Sequence, residues 1–134
     1  MIPAAKPIIG DDERAAVDRV LRSGMLAQGP EVAVFEEEFS KHVGGRHCVA
    51  MNSGTSALHL GFIAAGIKAG DEVIVPSFSF AATANSVALA GGVPVFGDID
   101  PKTFNLDPDH AESLITSKTK AIMPVHLYGH IAAM

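Results

Sequence analysis

Asn52-Ser53-Gly54-Thr55-Ser56-Ala57-Leu58 joins two kinds of sequence. Before it stands a short apolar run, His47-Cys48-Val49-Ala50-Met51, which reads as a strand over 47–52. After it, Leu58-His59-Leu60-Gly61-Phe62-Ile63-Ala64 has helical periodicity, and a helix is expected over 54–66. A strand that turns through small hydroxyl residues into a helix is suited to anions. The first amides of a helix have no internal partner, and the helix dipole adds partial positive charge there. Gly54 lets a ligand approach the backbone, and Ser53, Thr55 and Ser56 add hydroxyls, so a phosphate is the fitting guest. A plain helix cap explains the same segment when it is taken alone.

The pattern repeats outward. Asp11 or Asp12 can cap a first helix whose apolar face is Ala16, Val17, Val20 and Leu21, with Gly24 as its stop. Pro30 suits the first turn of a second helix, with Val32, Phe35, Phe39 and Val43 inward and Glu36, Glu37 and Glu38 mostly outward. Gly44-Gly45 ends it. Further strands are expected at 72–75, 93–96 and 120–125, with helices over about 81–91 and from Pro108 to about Ile115. Strands alternating with helices predict an α/β fold with a mostly parallel sheet covered by helices. Ligands of such sheets collect at the carboxyl ends of strands. Three of those ends carry Asn52-Ser53-Gly54-Thr55, Pro76-Ser77-Phe78-Ser79-Phe80 and His126-Leu127-Tyr128-Gly129.

Composition narrows the function. The 134 residues are 48% hydrophobic and 19% charged, which suits one folded core. A net charge of −5 with scattered Lys and Arg argues against nucleic acid. No apolar run approaches the roughly 20 residues that cross a bilayer, and Met1 to Pro7 lacks the form of a signal peptide. The single Cys48 reads as a buried reduced thiol, and a cytoplasmic location is expected. There is no G-x-G-x-x-G and no P-loop. The histidines, including His126 and His130, have no metal-ligand spacing, and Asp98-Ile99-Asp100 with Asn105 and Asp107 reads as a turn and a cap. Alternation would put Phe78 and Phe80 on one face, as core residues or with Phe80 stacking on a flat ligand.

Several stretches carry a family likeness when read in order. Gly10 to Gly24 is an opening helix, and Met25-Leu26-Ala27-Gln28-Gly29-Pro30-Glu31-Val32 a glycine loop with the start of a second. Then come Asn52 to Leu58, Pro76-Ser77-Phe78-Ser79-Phe80-Ala81-Ala82-Thr83-Ala84-Asn85, Asp98 to Pro108, and Pro124-Val125-His126-Leu127-Tyr128-Gly129. Together they resemble the N-terminal part of the DegT/DnrJ/EryC1/StrS family of pyridoxal-phosphate-dependent sugar aminotransferases.

That resemblance implies part of the large domain of the fold type I, aspartate-aminotransferase-like architecture. Residues 1–45 would hold the N-terminal helices and substrate loop, residues 46–134 the alternating strands and helices, and the small C-terminal domain would be absent. It implies pyridoxal 5′-phosphate as cofactor, with Gly54 and Thr55 holding its phosphate, Ser53 at the edge and Phe80 on the pyridine ring. Gly24, Met25, Leu26, Ala27 and Gln28 would face a nucleotide-sugar substrate. An amino-acid donor, glutamate or glutamine, and a homodimer are implied as partners. The family's Schiff-base lysine and the acidic partner of the pyridine nitrogen fall later than Met134. None of Lys6, Lys41, Lys68, Lys102, Lys118 and Lys120 stands in a matching context, so no catalytic residue is expected in this piece, which reads as a fragment inactive alone. Two alternatives stand beside it. One is a sugar dehydratase of the same family, with His in place of the lysine. The other is a non-catalytic remnant.

Overall fold

The computed structural model describes residues 6–134, and the chain divides into two compact units, Met1–Ala50 and Met51–Met134. In the first, helix α1 (Asp11–Ser23) and helix α2 (Pro30–His42) are joined by the glycine-bounded loop. Gly24 closes α1 in the left-handed conformation at φ 72°, as its reading as a stop requires. The cap differs from expectation. Gly10 is the N-cap, its amide donating to Glu13 Oε2 at 2.6 Å, while Asp11 and Asp12 lie in the first turn. Acids there still complement the dipole, but the amide is met by the longer Glu13 side chain. In α2, Pro30 holds the first position and Gly44-Gly45 end the helix in left-handed geometry.

Two expectations for this unit fail. Phe35, Phe39 and Val43 are exposed, whereas Glu36 is half-buried and accepts the Ala50 amide at 2.7 Å. Nor is 47–52 a strand. A strand exists only with a ladder partner, and among the described residues none pairs with this run. Val49 is 71% exposed and Cys48 only partly buried, so the apolar run is extended without being core.

The second unit is a three-stranded parallel sheet in the order β2-β1-β3: β1 is Glu72–Pro76, β2 Val93–Gly97 and β3 Thr119–Ile122. Ile74 stands opposite Val95 on one side and Ile122 on the other. Strand periodicity sorts the core. Val73 and Val75 pack with Phe62, Ile67 and Val87, while Ile74 packs with Leu106 and Ala111. Val73, Ile74 and Val75 are fully buried, the continuous apolar run of a strand covered on both faces. Helices α3 (Gly54–Ala64) and α4 (Ala82–Leu89) pack against each other, and α5 (Pro108–Ser113) follows the loop after β2. A Cβ at Gly97 would meet Leu106 Cδ1 at 2.5 Å, so a larger residue there would require the Leu106 side chain to shift. Strand β3 ends at Ile122 rather than at 125. Met123 still donates to Ile74 O at 2.8 Å, but Pro124 has no amide to continue the ladder.

Candidate functional site

The start of α3 is a capped helix with donors to spare. Ser53 is the N-cap; its Oγ accepts the Ser56 amide at 3.1 Å and donates to Ser56 Oγ at 3.0 Å. The Ala57 amide bonds Ser53 O at 3.1 Å. The amides of Gly54 and Thr55 meet no acceptor among the described residues. A Cβ built on Gly54 would meet nothing within 4 Å. Packing therefore does not demand glycine there; the space beside it is open.

That space is a depression of about 470 Å³. Gly54, Thr55 and Leu58 of α3 form one side. Ser79, Phe80, Ala82 and Thr83 form a second, and Met123, Pro124 and Val125 close it where the chain leaves β3. Two of the three sides follow the carboxyl ends of β1 and β3, where parallel sheets present their ligands. No titratable side chain lines it. An anion held here would rest on backbone amides, hydroxyls and the helix dipole rather than on a cation.

Phe80 stands at this depression and is 78% exposed, so it is not core. Phe78 is half-exposed and leans instead on Phe104, ring centroids 6.0 Å apart. The chain bends through Ser77, Phe78 and Ser79, so the alternation that would put both phenylalanines on one face does not apply. Ser79 and Thr83 escaped the sequence reading. Their hydroxyls lie 2.9 Å apart and Thr83 is buried, tying the bend to the first turn of α4. Their signal was an i, i+4 hydroxyl pair at a helix start. Of the expected cofactor residues, Gly54, Thr55 and Phe80 are brought together, and Ser53 is spent on capping beside them.

The loop Gly24–Gln28 belongs to the other unit. Met25 and Leu26 are exposed, Gln28 has φ 49°, and Met25 N donates to Ser23 Oγ at 3.1 Å. The Asp98–Asp107 loop is a turn and a cap, as read. Asp100 Oδ1 accepts the amides of Lys102 and Thr103 at 2.7 and 2.9 Å, and Asp107 caps α5. Those amides hold the Asp100 carboxyl below its usual range, the Thr103 bond contributing most.

The sequence matches the model of the DegT/DnrJ/EryC1/StrS aminotransferase family over residues 7–134. The chain belongs to this family. It is similar to the UDP-2-acetamido-2-deoxy-3-oxo-D-glucuronate aminotransferase of Pseudomonas aeruginosa, 48% identical over 124 residues, covering 92% of this chain and 34% of that protein. It is equally similar, at 48% over 134 residues, to the GDP-perosamine synthase of Caulobacter vibrioides, with 99% of this chain and 36% of that protein covered. Among solved structures, the putative sugar aminotransferase Spr1654 of Streptococcus pneumoniae superposes with a TM-score of 0.89 at 37% identity, over 98% of this chain and 33% of that one. That protein has been solved in apo, PMP and PLP forms. The chain thus spans about a third of the length of these relatives. The α/β expectation, an incomplete fold type I large domain, agrees with these likenesses.

Proposed function

We propose that this chain is the N-terminal portion of the cofactor-binding large domain of a pyridoxal-phosphate-dependent sugar aminotransferase. The parent reaction would transfer an amino group from glutamate or glutamine to a keto group of a nucleotide-activated sugar. The observation that carries the reading is the pair of unpartnered amides at Gly54 and Thr55, opening onto a depression that also holds Phe80. The cofactor fits what is there. Its phosphate matches the start of α3, and its flat ring matches an exposed aromatic beside an apolar wall. When bound, the cofactor supplies an electron sink for the substrate carbon.

The chain's own residues orient rather than react. Gly54 and Thr55 would hold the phosphate, Ser53 would keep the helix start in register, and Phe80 would cover the ring. No lysine or carboxylate lines the depression, so nothing here engages the cofactor's carbonyl or its ring nitrogen. On that ground the chain alone would be inactive. We assign Gly24, Met25, Leu26, Ala27 and Gln28 to substrate contact, with the cytoplasm and a homodimer as the setting, all on the family resemblance. The dehydratase alternative shares this cradle and differs in carrying His in place of the Schiff-base lysine.

The test is a titration of the chain with pyridoxal 5′-phosphate, followed by absorbance and competed with inorganic phosphate. Saturable binding that phosphate displaces is expected, weakened in Gly54→Ala because the added methyl occupies open ligand space while the helix tolerates alanine. Borohydride treatment should label no lysine. Labelling of one of this chain's lysines, or binding indifferent to Gly54→Ala, would sink the reading.

A further inference from the structure

Asn105 is 3% exposed, and both ends of its amide are spent on one distant turn. Its Oδ1 accepts the Leu127 amide at 3.0 Å, and its Nδ2 donates to His130 O at 3.1 Å. Between those bonds lies a short 3-10 turn, Leu127–Gly129, with Tyr128 in the left-handed region at φ 50°. A second tie closes the same turn: the Ala132 amide donates to His126 Nδ1 at 3.1 Å. Ala132 is buried, whereas Tyr128 is 93% exposed. Asn105 is itself anchored, since Asp100 N donates to Asn105 O at 2.9 Å and neighbouring Leu106 packs on Ile74 in the core.

A strained residue persists only where its surroundings over-determine it. Here three side-chain bonds hold a turn that contributes no buried aromatic. The turn's neighbours give it a use. Met123, Pro124 and Val125, one wall of the depression, span the gap between two anchors. At one end Met123 N bonds Ile74 O in β1; at the other, Leu127 N bonds Asn105. No ladder supports the wall between them.

We infer that Asn105, seconded by His126, is a positioning residue for the cofactor depression: it fixes the free end of the Met123–Val125 wall. Its role for the cofactor rests on the function proposed above, but the mechanical link does not. The first measurement is amide exchange in this chain, comparing Asn105→Ala with the unaltered protein. Exchange should speed about tenfold, the scale of one lost hydrogen bond, at Met123, His130 and Ala132, none of which donates to Asn105. The amides of β1 should keep their protection. Asn105→Asp serves where the alanine variant loses its fold. It keeps an acceptor for Leu127 but sets a carboxylate against His130 O, so His130 and Ala132 should loosen before Met123. Tyr128 is the only tyrosine and there is no tryptophan. Emission anisotropy therefore reads the turn directly and should fall in both variants.

The second measurement is the affinity for pyridoxal 5′-phosphate, expected to fall about fivefold or more in Asn105→Ala. A change confined to the Leu127 amide would overturn the inference. So would a loosened turn with unaltered affinity in a chain that binds the cofactor. Failure of the unaltered chain to bind would count against the proposed function instead, and the positioning role would then stand or fall on exchange at Met123.

Discussion

Two helices of the second unit begin in the same grammar and end with opposite capacities. Helix α3 starts at Ser53 and α5 at Asp107, both side chains capping their first turn. Asp107 Oδ1 accepts two amides, from Asp109 at 2.9 Å and from His110 at 3.4 Å. Ser53 Oγ accepts one and turns its own proton to Ser56. The carboxylate leaves its helix start occupied and negative. The hydroxyl leaves two amides free and neutral ground beside them. A helix start becomes an anion site through what its cap fails to satisfy and through the charge the cap does not bring.

The comparison breaks most sharply at Ser53→Asp. Aspartate caps as well as serine, so α3 should keep its stability. Its charge, however, would face the phosphate. Affinity for pyridoxal 5′-phosphate should fall at least about tenfold, roughly 1.4 kcal/mol, with the loss shrinking as salt is added. Calorimetric titration at two ionic strengths reads both. Undiminished binding would mean that the phosphate does not sit at this helix start.

What could be read from the chain follows the range of the forces involved. Helix ends were legible because caps and stops are local chemistry: Gly24, Pro30, Gly44-Gly45 and Asp107-Pro108 stand where expected. The central strand was legible because Val73-Ile74-Val75 is an unbroken apolar run between turns. The run 47–52 looks alike in sequence, yet a strand is a relation between two segments, and its partner is not written in it. The same limit applies to α2. The apolar stripe of Phe35 and Phe39 was recognisable, but what covers a stripe is not local, and Glu36 found the Ala50 amide 14 residues on. At the depression, Gly54, Thr55 and Phe80 were legible through helix-start chemistry and family likeness. Ser79, Thr83 and the Met123–Val125 wall were not, because their convergence depends on strand order. In sequence Asn105 reads only as part of a turn and a cap; the tertiary fold alone gives its amide two partners more than 20 residues away.

A smaller effect separates the two starts by stability. Asp107→Ala removes the acceptor for Asp109 and His110, and α5 has fewer than two turns to fall back on. A loss of about 1 kcal/mol is expected in denaturant melts, with no change in phosphate affinity. A parallel loss of phosphate affinity would show the two helix starts to be coupled.

The smallest expected effect lies in the turn that leads to the acidic start. The Asp100 carboxyl is held below its ordinary range, first by the Thr103 amide and then by that of Lys102. A depressed folded-state value means that the unfolded chain binds the proton more readily. The stabilising contribution is therefore complete above the unfolded-state value and is lost as pH falls through the folded one. Asp100 is only partly buried and its partners are the amides of its own turn, so the effect should register as local loosening rather than as a shift of the whole melt. Carboxyl-carbon NMR titration should place Asp100 below the ordinary aspartate range, and the amides of Lys102 and Thr103 should lose protection over the same interval. Asp100→Asn, which keeps an acceptor without the charge, should flatten that dependence while the start of α3 stays unchanged. The Asp100 turn, held by a carboxylate, then loosens in acid, whereas the start of α3, capped by a hydroxyl, does not.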